Sequence, residues 1–255
     1  MIQQLLLEEI KRKKSFLCVG LDVDKDQIPS DLNDEPDVIF NFCKRIIIAT
    51  APYCVAYKPN IAFFEAYGLE GWKSLEKVMG FLNKEYPEIF TIADAKRADI
   101  GNTSKRYAKA FFEHLEFDSV TIAPYMGKDS VEPFLEYKGK YAILLILTSN
   151  EGASDFQFIN AEGKPLYERV IEQSKKWKNA DRLMYVVGAT KSKTLKKIRK
   201  LIPDSTLLIP GVGAQGGSLE EVTVNGLNDN CGLLVNSSRG IIYASTGSDF
   251  GQVAA

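Results

Sequence analysis

The sequence predicts an α/β fold in which eight parallel strands close into a (β/α)8 barrel, the TIM barrel architecture, with a short N-terminal capping helix. Eight short runs of apolar and β-branched residues recur along the 255-residue chain, and segments with helical spacing lie between them. Apolar strands that alternate with amphipathic helices are typical of a parallel sheet covered on both faces. Eight such units in about 250 residues match a (β/α)8 barrel. We expect one domain over residues 1–255, because no low-complexity linker interrupts the pattern.

Each element can be placed from its periodicity. The opening stretch "MIQQLLLEEIKRKK" has the spacing of a short amphipathic helix. The predicted strands are residues 16–23, 54–60, 90–96, 119–125, 141–149, 182–190, 206–213 and 231–238. The clearest helical segments are residues 37–50, 74–86, 103–115 and 165–177.

A doubly wound open sheet is the main alternative fold. Its nucleotide-binding form carries a glycine fingerprint directly after the first strand. Here the corresponding stretch is "VGLDVDKDQIP", which has acidic residues where that fingerprint needs glycines. The barrel is therefore favoured.

Composition and charge exclude several classes of partner. Apolar residues make up 45% of the chain, and 32 Lys and Arg balance 33 Asp and Glu, so the net charge gives no reason to expect nucleic acid or an anionic membrane. No apolar run approaches the roughly 18 residues that a membrane span needs. In the N-terminal stretch the charges follow the apolar residues, the reverse of a secretory signal.

The cysteines and the histidine limit the kinds of disulfide, catalytic or metal site that the chain is expected to carry. The four cysteines sit singly inside apolar segments, which favours reduced core thiols and a cytosolic, cytoplasmic location; they are Cys18, Cys43, Cys54 and Cys231. The chain has a single histidine, His114, in the helical stretch "FFEHLE". We expect it to be structural or exposed, and neither a Ser-His-Asp triad nor a histidine-rich zinc site is predicted.

Polar residues recur where the predicted strands end. In (β/α)8 barrels the chemistry takes place at the C-terminal ends of the strands, where the loops converge. The residues concerned are Asp22, Lys58, Asn60, Asp94, Lys96, Ser149, Gln215 and Arg239. The sequence therefore predicts an active site at this mouth of the barrel.

The stretch "TIADAKRADIGNT" (91–103) is the most charged of these strand ends. Residues two apart on a strand share a face, so Asp94 and Lys96 are expected side by side, with Lys58 on the neighbouring strand and Asp99 close by. A plain salt bridge at the barrel rim is the alternative, and it is less favoured once Lys58 and Asp99 are added to the Asp94–Lys96 pair. A lysine flanked by carboxylates is favoured as a cation, which suits a proton donor and disfavours a Schiff-base nucleophile.

Two segments near the C-terminus indicate a phosphate site. The glycine-rich "LLIPGVGAQGG" (207–217) follows the seventh predicted strand, and "SRG" (238–240) follows the eighth, the place where such barrels hold phosphate. Glycines let backbone N–H groups approach the oxygens, and Arg239 can add a bidentate contact. An ordinary turn beside a surface arginine is the alternative.

These residues resemble a known family. "DAKRADIGNT" matches the D-x-K-x-x-D-I-x-x-T signature of orotidine 5′-monophosphate decarboxylases. The likeness extends, in order, to "LDVD" (21–24), "YKPN" (57–60), "LTSNEG" (147–152), "PGVGAQGG" (210–217) and "SSRGIIYA" (237–244), and it is strongest to the bacterial-type branch.

The resemblance implies a role for each site residue in the conversion of orotidine 5′-monophosphate to uridine 5′-monophosphate, the last step of de novo pyrimidine synthesis. The implied catalytic tetrad is Lys58, Asp94, Lys96 and Asp99, with Lys96 protonating C6 after carbon dioxide leaves. The implied substrate-binding residues are Asp22, Ile100, Thr103, Ser149, Pro210, Gln215, Ser238 and Arg239. The resemblance also implies a homodimer in which Asp99, Ile100 and Thr103 reach the partner's site.

The resemblance further implies that no metal and no organic cofactor takes part. It also marks one departure, since the chain ends at "YASTGSDFGQVAA", where the family usually carries a longer final helix. Either a short final helix or a chain trimmed at its end would leave part of the barrel wall thinly covered.

Two rival functions remain open on the sequence. A magnesium-dependent sugar-phosphate lyase or decarboxylase would share D-x-K-x-x-D and the phosphate loops, but such enzymes typically place a Glu where this chain has Lys58. A non-catalytic phosphate-binding barrel is disfavoured only because no tetrad position is missing. The lysine-rich stretches at 11–14 and 191–200 are best interpreted as the end of a helix and a solvated helix face.

Overall fold

The computed structural model, which describes residues 2–32, 35–213 and 216–255, shows a closed barrel of eight parallel strands. Its strands are β1 (Leu17–Leu21), β2 (Ala56–Pro59), β3 (Phe90–Arg97), β4 (Ser119–Ile122), β5 (Tyr141–Leu147), β8 (Leu183–Val187), β9 (Leu207–Pro210) and β10 (Leu233–Ser237). Their order around the barrel is β1-β10-β9-β8-β5-β4-β3-β2. A separate hairpin pairs β6 (Asn160–Ala161) with β7 (Lys164–Pro165). The predicted (β/α)8 barrel is confirmed.

Helices precede, follow and connect the strands. They are α1 (Ile2–Lys13), α2 (Val38–Thr50), α3 (Ile61–Glu65), α4 (Gly68–Glu85), α5 (Gly101–Lys109), α6 (Lys128–Leu135), α7 (Ala153–Phe156), α8 (Leu166–Ser174), α9 (Ser192–Leu201), α10 (Leu219–Gly226), α11 (Arg239–Ile242) and α12 (Phe250–Ala254). As predicted, α1 caps the barrel: its Leu6 is 4% exposed and packs among residues of the barrel interior.

The apolar core has two layers, because alternate strand residues face opposite sides of the barrel wall. Cys18, Ile92, Ile143 and Leu234 belong to the cluster inside the barrel. The larger layer lies between strands and helices, where residues such as Phe42 are completely buried. Each such apolar side chain contributes about 1.5–3 kcal/mol on burial.

The helix α12 is firmly packed against α2. The ring of Phe250 in α12 stacks on Phe42 of α2, with ring centroids 5.3 Å apart. Phe42 also stacks on Tyr243 at 5.5 Å. A few aromatic contacts therefore anchor this part of the barrel wall.

The histidine and three of the four cysteines lie where the sequence indicated, whereas Cys231 is not fully buried in the core. All four cysteines are free; Cys18, Cys43 and Cys54 are buried and Cys231 is partly exposed. Burial raises the pKa of the Cys54 thiol to about 11. His114 ends a π-helical turn after α5, and its side chain is 69% exposed. In the described part of the chain, no helix combines the length and apolar character that crossing a membrane requires.

Candidate active site

A cavity of about 470 Å³ opens at the C-terminal ends of the barrel strands. Residues at or just after the ends of all eight barrel strands line the cavity, so side chains that are far apart in the sequence converge there. Those predicted from the sequence are Asp22, Lys58, Asn60, Asp94, Lys96, Ser149, Pro210, Ser238 and Arg239. The geometry thus places most of the expected site residues in one cavity.

Lys58, Asp94 and Lys96 form a continuous charge array on one side of this cavity. Lys58 Nζ donates to Asp94 Oδ2 at 2.7 Å, and Lys96 Nζ donates to Asp94 Oδ1 at 2.6 Å. Lys58 Nζ also lies 3.9 Å from Asp22 Oδ1. One carboxylate therefore lies between two ammonium groups at the bottom and rim of the cavity.

The protonation states of the buried pair follow from these contacts. Burial raises the pKa of the Asp94 carboxyl, but the nearby Lys58 and Lys96 ammonium groups lower it by more, and the net pKa lies well below the usual 3.8. Burial lowers the pKa of Lys58, yet Asp94 and Asp22 outweigh that effect and the net pKa is raised. Both groups are therefore charged at neutral pH.

Asp94 and Lys96 meet through a bulge rather than through a regular strand. The β3–β4 register shifts between Ala93 and Arg97, where Ala93 pairs with Val120 and Arg97 with Ile122. Within that bulge Lys96 has φ +46°, a left-handed conformation that costs a residue other than glycine about 1–3 kcal/mol. Asp94 and Lys96 were expected side by side because residues two apart on a strand share a face. They are neighbours, but an irregular backbone brings them together.

Some polar residues of the cavity were not identified from the sequence. Thr121 is fully buried, and its Oγ1 accepts from the Lys96 backbone N–H at 2.9 Å and contacts Asp94 Oδ1 at 3.1 Å. Asn236 on β10 lies 8% exposed beside Cys18, whose Sγ is 3.7 Å from its Oδ1. A polar residue inside an apolar strand is the only sequence signal for either position.

Glycines shape the side of the cavity where phosphate was predicted. Gly211 and Gly213 have φ values of +93° and +72°. A Cβ on Gly20 would lie 2.7 Å from Ser238 Cβ, so only glycine lets Ser238 Oγ approach and donate to the Gly20 carbonyl at 3.0 Å. Arg239 is exposed at the cavity mouth. Gln215 lies outside the described residues.

Asp99, Ile100 and Thr103 are not among the residues that line this cavity in the same chain. They lie at the start of α5, where Asp99 Oδ1 accepts from the Ile100 backbone N–H at 2.7 Å. Ile100 is 55% exposed and Thr103 is also exposed. None of the three residues therefore contributes to the cavity of its own chain.

Across residues 2–32, 35–213 and 216–255, no three His, Cys, Asp or Glu side chains are grouped so that they could hold a metal ion.

The chain is similar to known proteins along its whole length. Residues 15–248 match the family described as "Orotidine 5'-phosphate decarboxylase / HUMPS family". Proteins named orotidine 5'-phosphate decarboxylase from Christiangramia forsetii and Bacteroides fragilis are 63% and 57% identical to it, with all of this chain and 93% of each relative covered. A solved structure of Leishmania donovani OMP decarboxylase is 38% identical with a TM-score of 0.85, covering 99% of this chain and 94% of that one. This chain therefore belongs to the orotidine 5'-phosphate decarboxylase / HUMPS family.

Proposed function

We propose that the chain is a carboxy-lyase that converts orotidine 5′-monophosphate to uridine 5′-monophosphate in pyrimidine biosynthesis. Family membership and the names of relatives at 57–63% identity support this activity. The single observation that carries the mechanism is the Lys58–Asp94–Lys96 array within one cavity.

The array suits the direct loss of carbon dioxide from C6 of the pyrimidine. The C6–carboxylate bond breaks, the electron pair stays on C6, and the Lys96 ammonium delivers a proton to that carbon. Asp94 lies beside the departing carboxylate and favours its loss through like-charge repulsion. The lysine cations stabilise the negative charge that develops on the ring, which is preorganised electrostatic catalysis.

The other cavity residues hold the parts of the substrate that do not react. Asp22 Oδ1 is buried and makes no hydrogen bond within the described residues, so it is available, with Lys58, for the ribose hydroxyls. Ser149 faces the pyrimidine. Arg239 and Gln215 bind the phosphate with nearby backbone N–H groups, beside Pro210 and Ser238. Binding energy from that remote phosphate also helps to order the loops around the reacting ring.

The proposal includes a homodimer whose protomers complete each other's sites. Asp99, Ile100 and Thr103 do not line the cavity of their own chain. The Ile100 side chain is 55% exposed in the single chain, so a partner protomer could cover it. A two-fold interface would send the same three residues from each protomer into its partner's site, with Ile100 lining an apolar pocket for carbon dioxide.

The proposed reaction uses no metal and no organic cofactor, and a cytoplasmic location belongs to the same proposal. The related magnesium-dependent enzymes typically carry Glu at the end of the second strand. Here that position is Lys58, which bonds to Asp94 at 2.7 Å. A fixed cation at this point opposes the binding of Mg²⁺ and instead stabilises an anionic ring directly.

Ultraviolet absorbance of orotidine 5′-monophosphate mixed with the purified protein tests the proposal. We expect orotate absorbance to fall, uridine 5′-monophosphate to form, and excess EDTA to leave the rate unchanged. A folded protein that leaves the absorbance constant would contradict the activity, and a rate abolished by EDTA would point to the metal-dependent branch of the family.

A further inference from the structure

The backbone of Lys96 has a left-handed conformation, which differs from the extended conformation of a regular strand. It lies in the bulge of β3 with φ +46°, a region that residues with a Cβ seldom adopt. Such conformations persist only where several contacts with the surrounding structure enforce them. The contacts that hold this bulge are therefore part of the machinery that places the Lys96 ammonium.

One hydroxyl makes contacts to both ends of the Asp94–Lys96 pair. Thr121 Oγ1, on β4, accepts from the Lys96 backbone N–H at 2.9 Å. The same hydroxyl lies 3.1 Å from Asp94 Oδ1, the oxygen that also accepts from Lys96 Nζ. The Ala93 carbonyl is a more distant acceptor at 3.5 Å, so the single hydroxyl proton is directed to Asp94.

From this geometry we infer that Thr121 is a positioning residue, which fixes the β3 bulge and orients Asp94 so that the Lys96 ammonium stays aligned with the reacting carbon. The inference rests on the function proposed above. Thr121 is only 1% exposed, so water cannot readily replace its hydroxyl. A displacement of about 1 Å in a reacting group can lower a rate by about 10²-fold, which makes such a restraint consequential.

A second threonine on the same pair of strands provides a matched control. Thr91 Oγ1 accepts from the Asp118 backbone N–H at 2.9 Å and donates to Asp118 Oδ2 at 3.0 Å. Thr91 is 2% exposed and lies at the opposite end of the barrel from the cavity. The two hydroxyls therefore make the same kinds of hydrogen bond at equal burial, and only that of Thr121 touches the charge array.

The first experiment compares steady-state decarboxylation by Thr121→Val, Thr121→Ser and Thr91→Val. Valine keeps the shape and removes the hydroxyl, so we expect kcat of Thr121→Val to fall about 10- to 100-fold, with KM within about 3-fold of wild type. Thr121→Ser restores the hydroxyl and should recover most of kcat. Thr91→Val should lose thermal stability to a similar extent while keeping the wild-type kcat.

The second experiment measures amide hydrogen exchange at Lys96 and requires no turnover. Thr121→Val removes the acceptor of this N–H, so its exchange should accelerate in that variant and remain at the wild-type rate in Thr91→Val. Unchanged exchange at Lys96, a wild-type kcat in Thr121→Val, or an equal loss of kcat in Thr91→Val would each overturn the inference. Faster exchange in a protein whose wild type does not decarboxylate the nucleotide would support the positioning role and refute the proposed function instead.

Discussion

Lys58 Nζ lies 2.7 Å from Asp94 Oδ2, and the two side chains are only 5% and 11% exposed. Removing one partner of a buried charge pair lowers stability because the other loses its nearest opposite charge; without Lys58, Asp94 would keep only Lys96, whose side chain is 53% exposed. Asp22 and Lys96 share the cavity with this pair, so the four groups behave as one electrostatic unit. We therefore expect stability and the proposed catalysis to depend on the same contacts.

Replacing Lys58 should destabilise the fold. In Lys58→Met the side chain keeps its approximate length, but Asp94 and Asp22 lose a cation within the cavity. We expect the free energy of unfolding at pH 7 to fall by about 3 kcal/mol, as measured by urea denaturation. Lys84→Met replaces a lysine that is 81% exposed and serves as the matched control. It should change the free energy of unfolding by less than about 0.5 kcal/mol.

The stability lost in Lys58→Met should also depend on pH in a defined direction. The folded pKa of Asp94 lies below its usual 3.8 and that of Lys58 above its usual 10.5, so the pair's contribution is constant between about pH 5 and pH 9. Below about pH 4 the unfolded chain takes up a proton at Asp94 that the folded protein still excludes, so the contribution declines progressively and the difference between wild type and Lys58→Met should shrink. A difference that stays constant down to pH 3 would show that Lys58 does not set the pKa of Asp94.

Removing the Lys96 ammonium should stop the chemistry and spare binding. Lys96→Ala eliminates the proposed proton donor, and a positioned acid typically contributes 10²- to 10⁴-fold in rate, so we expect kcat to fall by at least about that range. Binding of uridine 5′-monophosphate, measured by calorimetry, should remain detectable because the phosphate and ribose contacts are intact. Turnover near the wild-type rate would refute Lys96 as the proton donor.

Arg239 should act on the phosphate alone. In Arg239→Ala we expect affinity for uridine 5′-monophosphate to drop about 10- to 100-fold, the equivalent of a charge-assisted hydrogen bond of about 1.5–3 kcal/mol. Uridine, which lacks the phosphate, should bind within about 2-fold of wild type. Arg12→Ala removes a cation from α1 at the other end of the barrel and should alter neither affinity. Equal losses for nucleotide and nucleoside would contradict the assignment.

The sequence could predict the barrel and the cavity side of several strands because both follow from simple periodicities. A buried parallel strand is nearly all apolar, so a charged residue at its end, such as Lys58 or Asp94, is conspicuous. Thr121 and Asn236 were not identified, because a single polar residue within an apolar run is also compatible with a core position. The left-handed backbone at Lys96 depends on contacts with the neighbouring strand, which no local pattern encodes.

Asp99 can be tested for its action in the partner's site by mixing two inactive proteins. Lys96→Ala protomers lack the proton donor but supply Asp99, whereas Asp99→Ala protomers lack Asp99 but retain Lys96. If each site takes Lys96 from one protomer and Asp99 from the other, random exchange makes half of the dimers mixed, and one site in each mixed dimer is intact. We therefore expect about a quarter of wild-type activity after subunit exchange.

Lys96→Ala mixed with Lys58→Met provides the control, because Lys58 and Lys96 line the same cavity of one chain and no mixed dimer regains a complete site. Activity that does not return in the first mixture, although mixed dimers are present, would place Asp99 in the site of its own chain.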